Sequence, residues 1–269
     1  MSRPHIFVAT HHKSGTVWML STFRRLALAN EFPFFDVNQA KQPWMKNPKK
    51  LELFESMRAK TERGSDLPAV FVDYHAEFPD LSACAGSRGA RGIHMVRDPR
   101  DMLLSAVRFH LTADEPWLHV ADDRFGGMTY QEKIASYDTL EDRIRFEMEH
   151  NMGWVIRKMH RFDKQGVFRD VQYEDLIVDS NMTLWHELCI EMGLVGREIV
   201  NGLDAFWRSS VFGDMKSIAE SGESSHIKNA KPRQWQTMLS DSMVDEIESV
   251  LGKEIDGLGY TRASELSGV

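Results

Sequence analysis

Lys13, Ser14, Gly15 and Thr16 stand between a short apolar run, His5 to Thr10, and an amphipathic stretch from Val17 to about Ala29. A strand, a turn and a helix start in that order leave unpaired backbone N–H groups at the turn, and the helix dipole adds partial positive charge there. An anion is held at such a turn without special side chains. Gly15 lets the backbone approach closely, Lys13 supplies a mobile cation, and the hydroxyls of Ser14 and Thr16 can donate to phosphate oxygens. The nucleotide triphosphatase pattern GxxxxGK followed by Ser or Thr is absent, because Lys here precedes Ser-Gly-Thr and no Gly opens the turn. The expected ligand carries a phosphate group and is not ATP.

Three later segments extend the pattern: Val96-Arg97-Asp98-Pro99-Arg100-Asp101-Met102-Leu103-Leu104-Ser105, then Val171-Gln172-Tyr173-Glu174-Asp175-Leu176, then Phe212-Gly213-Asp214-Met215-Lys216. In this order, and at these intervals, the four segments resemble the cytosolic-type sulfotransferases, which take a sulfuryl group from 3′-phosphoadenosine 5′-phosphosulfate (PAPS) and release PAP. That family's first motif is Pro-Lys-Ser-Gly-Thr-Thr-Trp; this chain has His12 for the Pro and Val17 for the second Thr, and keeps Trp18. The resemblance implies that Lys13, Ser14, Gly15, Thr16 and Val17 embrace the 5′-phosphosulfate and that Arg97 and Ser105 hold the 3′-phosphate. It also implies that Tyr173, Phe212 and Trp18 contact the adenine, with Ser210 and Met215 in the same donor site. The family's last motif, Arg-Lys-Gly-x-x-Gly-x-Trp, is matched by Lys228-Asn229-Ala230-Lys231-Pro232-Arg233-Gln234-Trp235, with Ala230 and Arg233 in place of the glycines. Lys228, Lys231 and Arg233 keep the charge that a dianionic phosphate requires. The preceding Glu220 to Ser225 reads as a lid.

Sulfuryl transfer moves SO₃ in line from a phosphate oxygen to an acceptor hydroxyl or amine, which loses a proton. By analogy with phosphoryl transfer, the catalyst positions the partners and stabilises charge on the leaving oxygen. Lys13 is the candidate for that oxygen. His75 is the candidate base, at the end of the apolar run Val70–Tyr74, where the family has Lys-x-His and this chain has Asp73 at the Lys position. Asp73 either orients His75 or is itself the base. His11, His12 and His110 are competing imidazoles. No metal is expected, since His11 and His12 are adjacent and no carboxylate is spaced to complete a site.

These residues need a scaffold, and 269 residues, 42% of them hydrophobic, suffice for one domain spanning 1–269. No Pro/Ser/Gly-rich linker or repeat divides the chain. Short apolar runs alternate with helical patterns, which indicates an α/β domain with a central, mostly parallel sheet flanked by helices; the resemblance implies the P-loop NTPase-like sulfotransferase fold. The strands expected are His5–Thr10, Phe34–Val37, Ala69–Tyr74, Gly92–Val96 and Gly166–Tyr173. The helices expected are Val17–Ala29, Pro48–Thr61, Arg100–Leu111, Tyr130–Ser136, Leu140–Phe162, Met182–Met192, Arg197–Trp207 and Ser240–Leu251. Thr112 to Ser136, rich in charge and aromatics, reads as an excursion beside an acceptor pocket.

A net charge of −7 argues against a general nucleic-acid binder. No segment approaches the roughly 20 apolar residues of a membrane span, and the N-terminal run is too short for a signal peptide, so a cytoplasmic protein is expected. Cys84 and Cys189 are expected as reduced thiols. The activity expected is sulfuryl transfer to a hydroxyl or amine of a small-molecule or glycan-like acceptor. The alternatives are a small Mg-ATP-dependent kinase of related topology and an inactive nucleotide-binding scaffold; oligomeric state stays open.

Overall fold

The computed structural model describes residues 3–37, 59, 67–81, 88–213 and 231–266. The expected helix Pro48–Thr61, apart from Ala59, lies outside the described residues, as do Met215, Lys228, Cys84 and the segment Glu220 to Ser225. The strands are β1 (His5–Ala9), β2 (Phe34–Asp36), β3 (Val70–Asp73), β4 (Ala90–Val96) and β5 (Phe168–Gln172). The longer helices are α1 (Thr16–Ala29), α2 (Pro99–His110), α3 (Tyr130–Ala135), α4 (Leu140–His150), α5 (Met152–His160), α6 (Thr183–Glu191), α7 (Arg197–Ser209) and α8 (Asp241–Gly257). They gather into two compact units, Met1–Val96 with Asp163–Glu223, and Arg97–Phe162 with Ser224–Val269.

The first unit holds a five-stranded sheet in the order β2-β3-β1-β4-β5, every pair parallel. All five strands expected from the sequence are present. β1 and β3 are buried along their whole length, as parallel strands covered on both faces must be. One row of residues crosses the sheet in register: Phe35, Phe71, Phe7, Gly92 and Phe168. The rings of Phe35 and Phe7 stack on Phe71 at 5.0 and 4.9 Å. Gly92 makes the row continuous, because a Cβ there would lie 2.5 Å from the Phe7 carbonyl oxygen and 2.9 Å from the Phe168 ring. α1 packs on β2 and β3, and α7 packs on α1. Trp185 stacks on Phe206 at 4.6 Å and donates its indole N–H to the Gly202 carbonyl, which locks α6 to α7.

The second unit is helical. Asp98 caps α2 by accepting the Arg100 N–H, and Pro99 occupies the first turn, where a missing N–H costs nothing. Leu140–Phe162, expected as one helix, is two: the backbone leaves helical geometry at Asn151. The cause is a close approach, since a Cβ on Gly153 would sit 2.0 Å from the Met148 carbonyl oxygen. The apolar period runs on through this break, so the pattern conceals it. α8 likewise continues past Leu251, because Gly252 and Gly257 are not stops but contact points, against Arg262 and His160. The excursion after α2 forms two 3₁₀ turns, Pro116–His119 and Asp123–Phe125, before α3 begins at a Thr129/Glu132 capping box. No helix among the described residues is long and apolar enough to cross a membrane.

The row through Gly92 makes a stability prediction. Gly92→Ala is expected to lower the urea midpoint by the equivalent of about 1–3 kcal/mol with the denaturant slope unchanged. An unaltered midpoint would show that the Phe168 ring has room to move.

Candidate functional site

The turn after β1 folds around one peptide. The His11 carbonyl accepts the Ser14 N–H at 3.0 Å, the Ser14 hydroxyl at 3.0 Å and the Thr16 hydroxyl at 2.9 Å. The His11 N–H donates in return to Ser14 Oγ at 2.9 Å. Ser14, fully buried, therefore braces the turn from within, and the Thr16 hydroxyl also meets that of Thr10 at 3.0 Å. Lys13 and Gly15 both have left-handed backbone, φ 66° and 106°. Gly15 begins α1 with no side-chain cap, so the dipole end of the helix is presented by backbone alone. Val17 is half exposed at the same helix start.

Gly15 is also fixed by packing. A Cβ there would come within 3.1 Å of the Tyr173 ring, so the turn lies directly against the residue that follows β5. Trp18 meets Tyr173 edge-on at 5.9 Å and Phe206 at 5.3 Å, and Phe206 lies 6.0 Å from Phe212. The aromatics expected at the adenine thus share one cluster with Phe206, a residue of α7 outside the sequence motifs. Trp18 Nε1 is buried without a hydrogen-bond partner among the described residues, so a donor is available to a ligand there. Ser210, also buried, donates to the Trp207 carbonyl at 2.7 Å and closes the end of α7 just before Phe212.

The turn after β3 is tied to this one, because the Thr10 N–H donates to the Asp73 carbonyl at 3.0 Å. The Asp73 carboxylate is fully buried and accepts the backbone N–H groups of His75 at 2.8 Å and Glu77 at 3.2 Å. Asp73 is therefore the cap of the turn carrying His75. The half-buried His75 ring packs on Tyr74 at 4.6 Å. Lys13 and His75 leave the carboxyl ends of adjacent parallel strands, where ligands bind in open α/β sheets.

The other expected residues belong to the second unit. Arg97 precedes the α2 cap and is largely buried; Ser105 lies eight residues on, inside α2 and partly exposed. Arg100 is structural: it chelates Asp98, bonds Glu248 at 2.7 Å and lies 3.7 Å over the Trp235 ring. Asp101, which the sequence did not single out, accepts the Trp235 N–H at 2.9 Å. Burial raises its pKa above the usual carboxylate value, opposed by that N–H, by the charge of Arg97 and by the Arg233 N–H. The segment Lys231 to Trp235 is thereby docked on α2. Arg233 is exposed and has left-handed backbone, φ 58°, so the replacement of the second motif glycine leaves a glycine-like conformation in place at a cost of about 1–2 kcal/mol. His110 is buried with its Nδ1 2.5 Å from Glu147 Oε1, a hydrogen bond that ties it into the helix packing.

A family model described as "Sulfotransferase domain" matches residues 3–259. Among solved structures, a mouse sulfotransferase complexed with PAP matches over 94% of this chain and 84% of its own, with 14% identity and a TM-score of 0.58. The sulfotransferase domain of the Synechococcus PCC 7002 olefin synthase matches over 97% of each chain, with 13% identity and a TM-score of 0.42. No curated protein sequence matches this chain.

Asp101→Ala leaves the Trp235 N–H without its partner. We expect a stability loss of about 1–3 kcal/mol by urea titration and faster proteolysis near Lys231. Unchanged proteolysis would show that Asp101 does not dock the segment.

Proposed function

The chain belongs to the sulfotransferase domain family and is PAPS-dependent, and we propose that its acceptor is a hydroxyl or amine of a small molecule or glycan-like compound. The kinase and the inactive scaffold give way to this reading. The observation that carries it is the turn at Lys13 to Gly15, held by the His11 carbonyl and packed on Tyr173, with Trp18 and Phe212 in the same aromatic cluster. A phosphosulfate at the turn and an adenine among the aromatics suit that arrangement, and the Trp18 indole N–H, which has no partner among the described residues, and the cradle at Gly15 support it.

PAPS brings an S–O bond already activated by its phosphate leaving group. In this reading Lys13 neutralises the charge that develops on the leaving oxygen, and the backbone of the turn with Ser14, Thr16 and Val17 orients the phosphosulfate. His75 takes the acceptor's proton as the new S–O bond forms, while Asp73 fixes the turn that presents it. Arg97 and Ser105 hold the 3′-phosphate, joined by Lys228 and Arg233; Ser210 and Met215 complete the donor site. Residues 1–269 act as one catalytic domain, a reading supported by a family match that runs through both units. The setting is cytoplasmic, which the free, buried Cys189 suits; burial pushes its thiol up to about 12, so it is unreactive. The acceptor is not a nucleic acid, in keeping with the net charge of −7.

Lys13→Ala is expected to lower kcat by roughly 10²–10³. His75→Ala is expected to lower kcat by roughly 10²–10⁴ while PAP affinity, measured by calorimetry without Mg²⁺, is kept. A fully active His75→Ala enzyme would remove His75 from the mechanism. Arg97→Ala is expected to weaken PAP by at least about tenfold through loss of a charge-assisted contact; unaltered PAP affinity would reassign the 3′-phosphate site.

A further inference from the structure

The carboxyl edge of the sheet carries a chain of titratable groups to which the reaction assigns no role. Ala9 stands opposite His94 in register, and His94 opposite Asp170. His94 Nδ1 lies 2.8 Å from Asp170 Oδ1, and its Nε2 lies 2.9 Å from Nε2 of His11. Lys164 Nζ meets the other oxygen of Asp170 at 2.5 Å. The two imidazoles are buried, 1% and 2% exposed, whereas Asp170 and Lys164 reach water. A tetrahedral zinc would hold two nitrogens about 3.3 Å apart; at 2.9 Å the pair is in hydrogen-bond contact instead.

Donor and acceptor chemistry fixes the protons. Burial works against the Asp170 charge, but His94 and Lys164 outweigh it and hold the carboxyl below its ordinary pKa. An ionised carboxylate only accepts, so His94 carries its proton on Nδ1. Burial lowers the His94 pKa despite the pull of Asp170, so the ring is neutral and its Nε2 is a bare acceptor. His11 must then donate from its own Nε2. Each ring is thereby locked in one tautomer and one orientation.

His11 is also the residue whose N–H and carbonyl gather Ser14 and Thr16, so its side chain and its peptide are anchored together. We propose that Asp170, His94 and His11 form a positioning chain that sets the turn bearing Lys13 for sulfuryl transfer. The proposal rests on the reading of that turn as the donor site. His94 touches no substrate in it and acts through His11, as the buried carboxylate of a catalytic triad acts through its histidine. A shift of the turn by a fraction of its length displaces Lys13 from the leaving oxygen, and displacements of about 1 Å are worth roughly 100-fold in rate.

Nitrogen-15 NMR of the full-length protein reads the tautomers directly. His94 protonated on Nδ1 and His11 protonated on Nε2 is the expected pattern, and the reverse pattern overturns the proposal. Kinetics give the second arm. An Asn side chain places its amide where Nδ1 lies and a Gln where Nε2 lies, so His94→Asn keeps Asp170 and loses His11, whereas His94→Gln keeps His11. His94→Asn is expected to lower kcat roughly 10- to 100-fold with PAP affinity within about threefold of the parent, and His94→Gln to recover most of that loss. Asp170→Asn, whose amide offers Nδ1 a donor as well as an acceptor and so releases the His94 tautomer, is expected to lower kcat by less than His94→Asn does. Equal losses in the Asn and Gln variants, or a loss confined to PAP affinity, overturn the proposal. Lys13→Ala serves as the control: if it too leaves kcat intact, the donor-site reading falls with the proposal, and if it alone lowers kcat, only the positioning chain falls.

Discussion

One carbonyl organises the first unit. The oxygen of His11 takes the Ser14 N–H and the Ser14 and Thr16 hydroxyls, and this closes the turn so that β1 passes into α1 without a side-chain cap. A helix begun in that way has its N-terminal N–H groups and its dipole turned outward, which is the physical basis of anion binding. Everything else in the unit defends that geometry. The Thr10 N–H pins the strand end to Asp73, Gly15 lets the turn settle on Tyr173, and the imidazole of His11 is held from below by His94.

The second unit solves a comparable problem by charge. α2 starts at Asp98 and Pro99, and its first turn presents Arg100 and Asp101 to the C-terminal segment. Arg100, nearly fully buried, is satisfied by two carboxylates, the Thr261 carbonyl and the face of Trp235, so its charge is fully compensated. Asp101 then fixes the backbone at Trp235. Arg233, which replaces the motif's second glycine, keeps left-handed backbone at a cost of about 1–2 kcal/mol, and the dock at Asp101 offsets part of it.

Much of this was legible beforehand. The five strands were readable because parallel strands buried on both faces show as short, dense apolar runs with turn residues at their ends. The turn from Lys13 to Thr16 and the helix start after Arg97 were readable because each depends on local features, a glycine or a proline where a helix begins. The break at Asn151 was not readable, since it depends on the Met148 carbonyl meeting Gly153 and leaves the apolar period intact. Nor were the bonds of Asp73: a carboxylate before a histidine reads as base or as orienter, and only the structure shows its oxygens accepting the His75 and Glu77 N–H groups.

The sequence alone therefore determined the order of elements, the α/β class and the family, because these follow from hydrophobic period and from motifs a few residues long. Tertiary structure decided which groups share a hydrogen bond across the sheet. His11 and His94 stand 83 positions apart along the chain, His94 and Asp170 76 apart, and they become neighbours only through strand register. Strand register is a long-range property, set by how whole strands pair, and no local spacing encodes it.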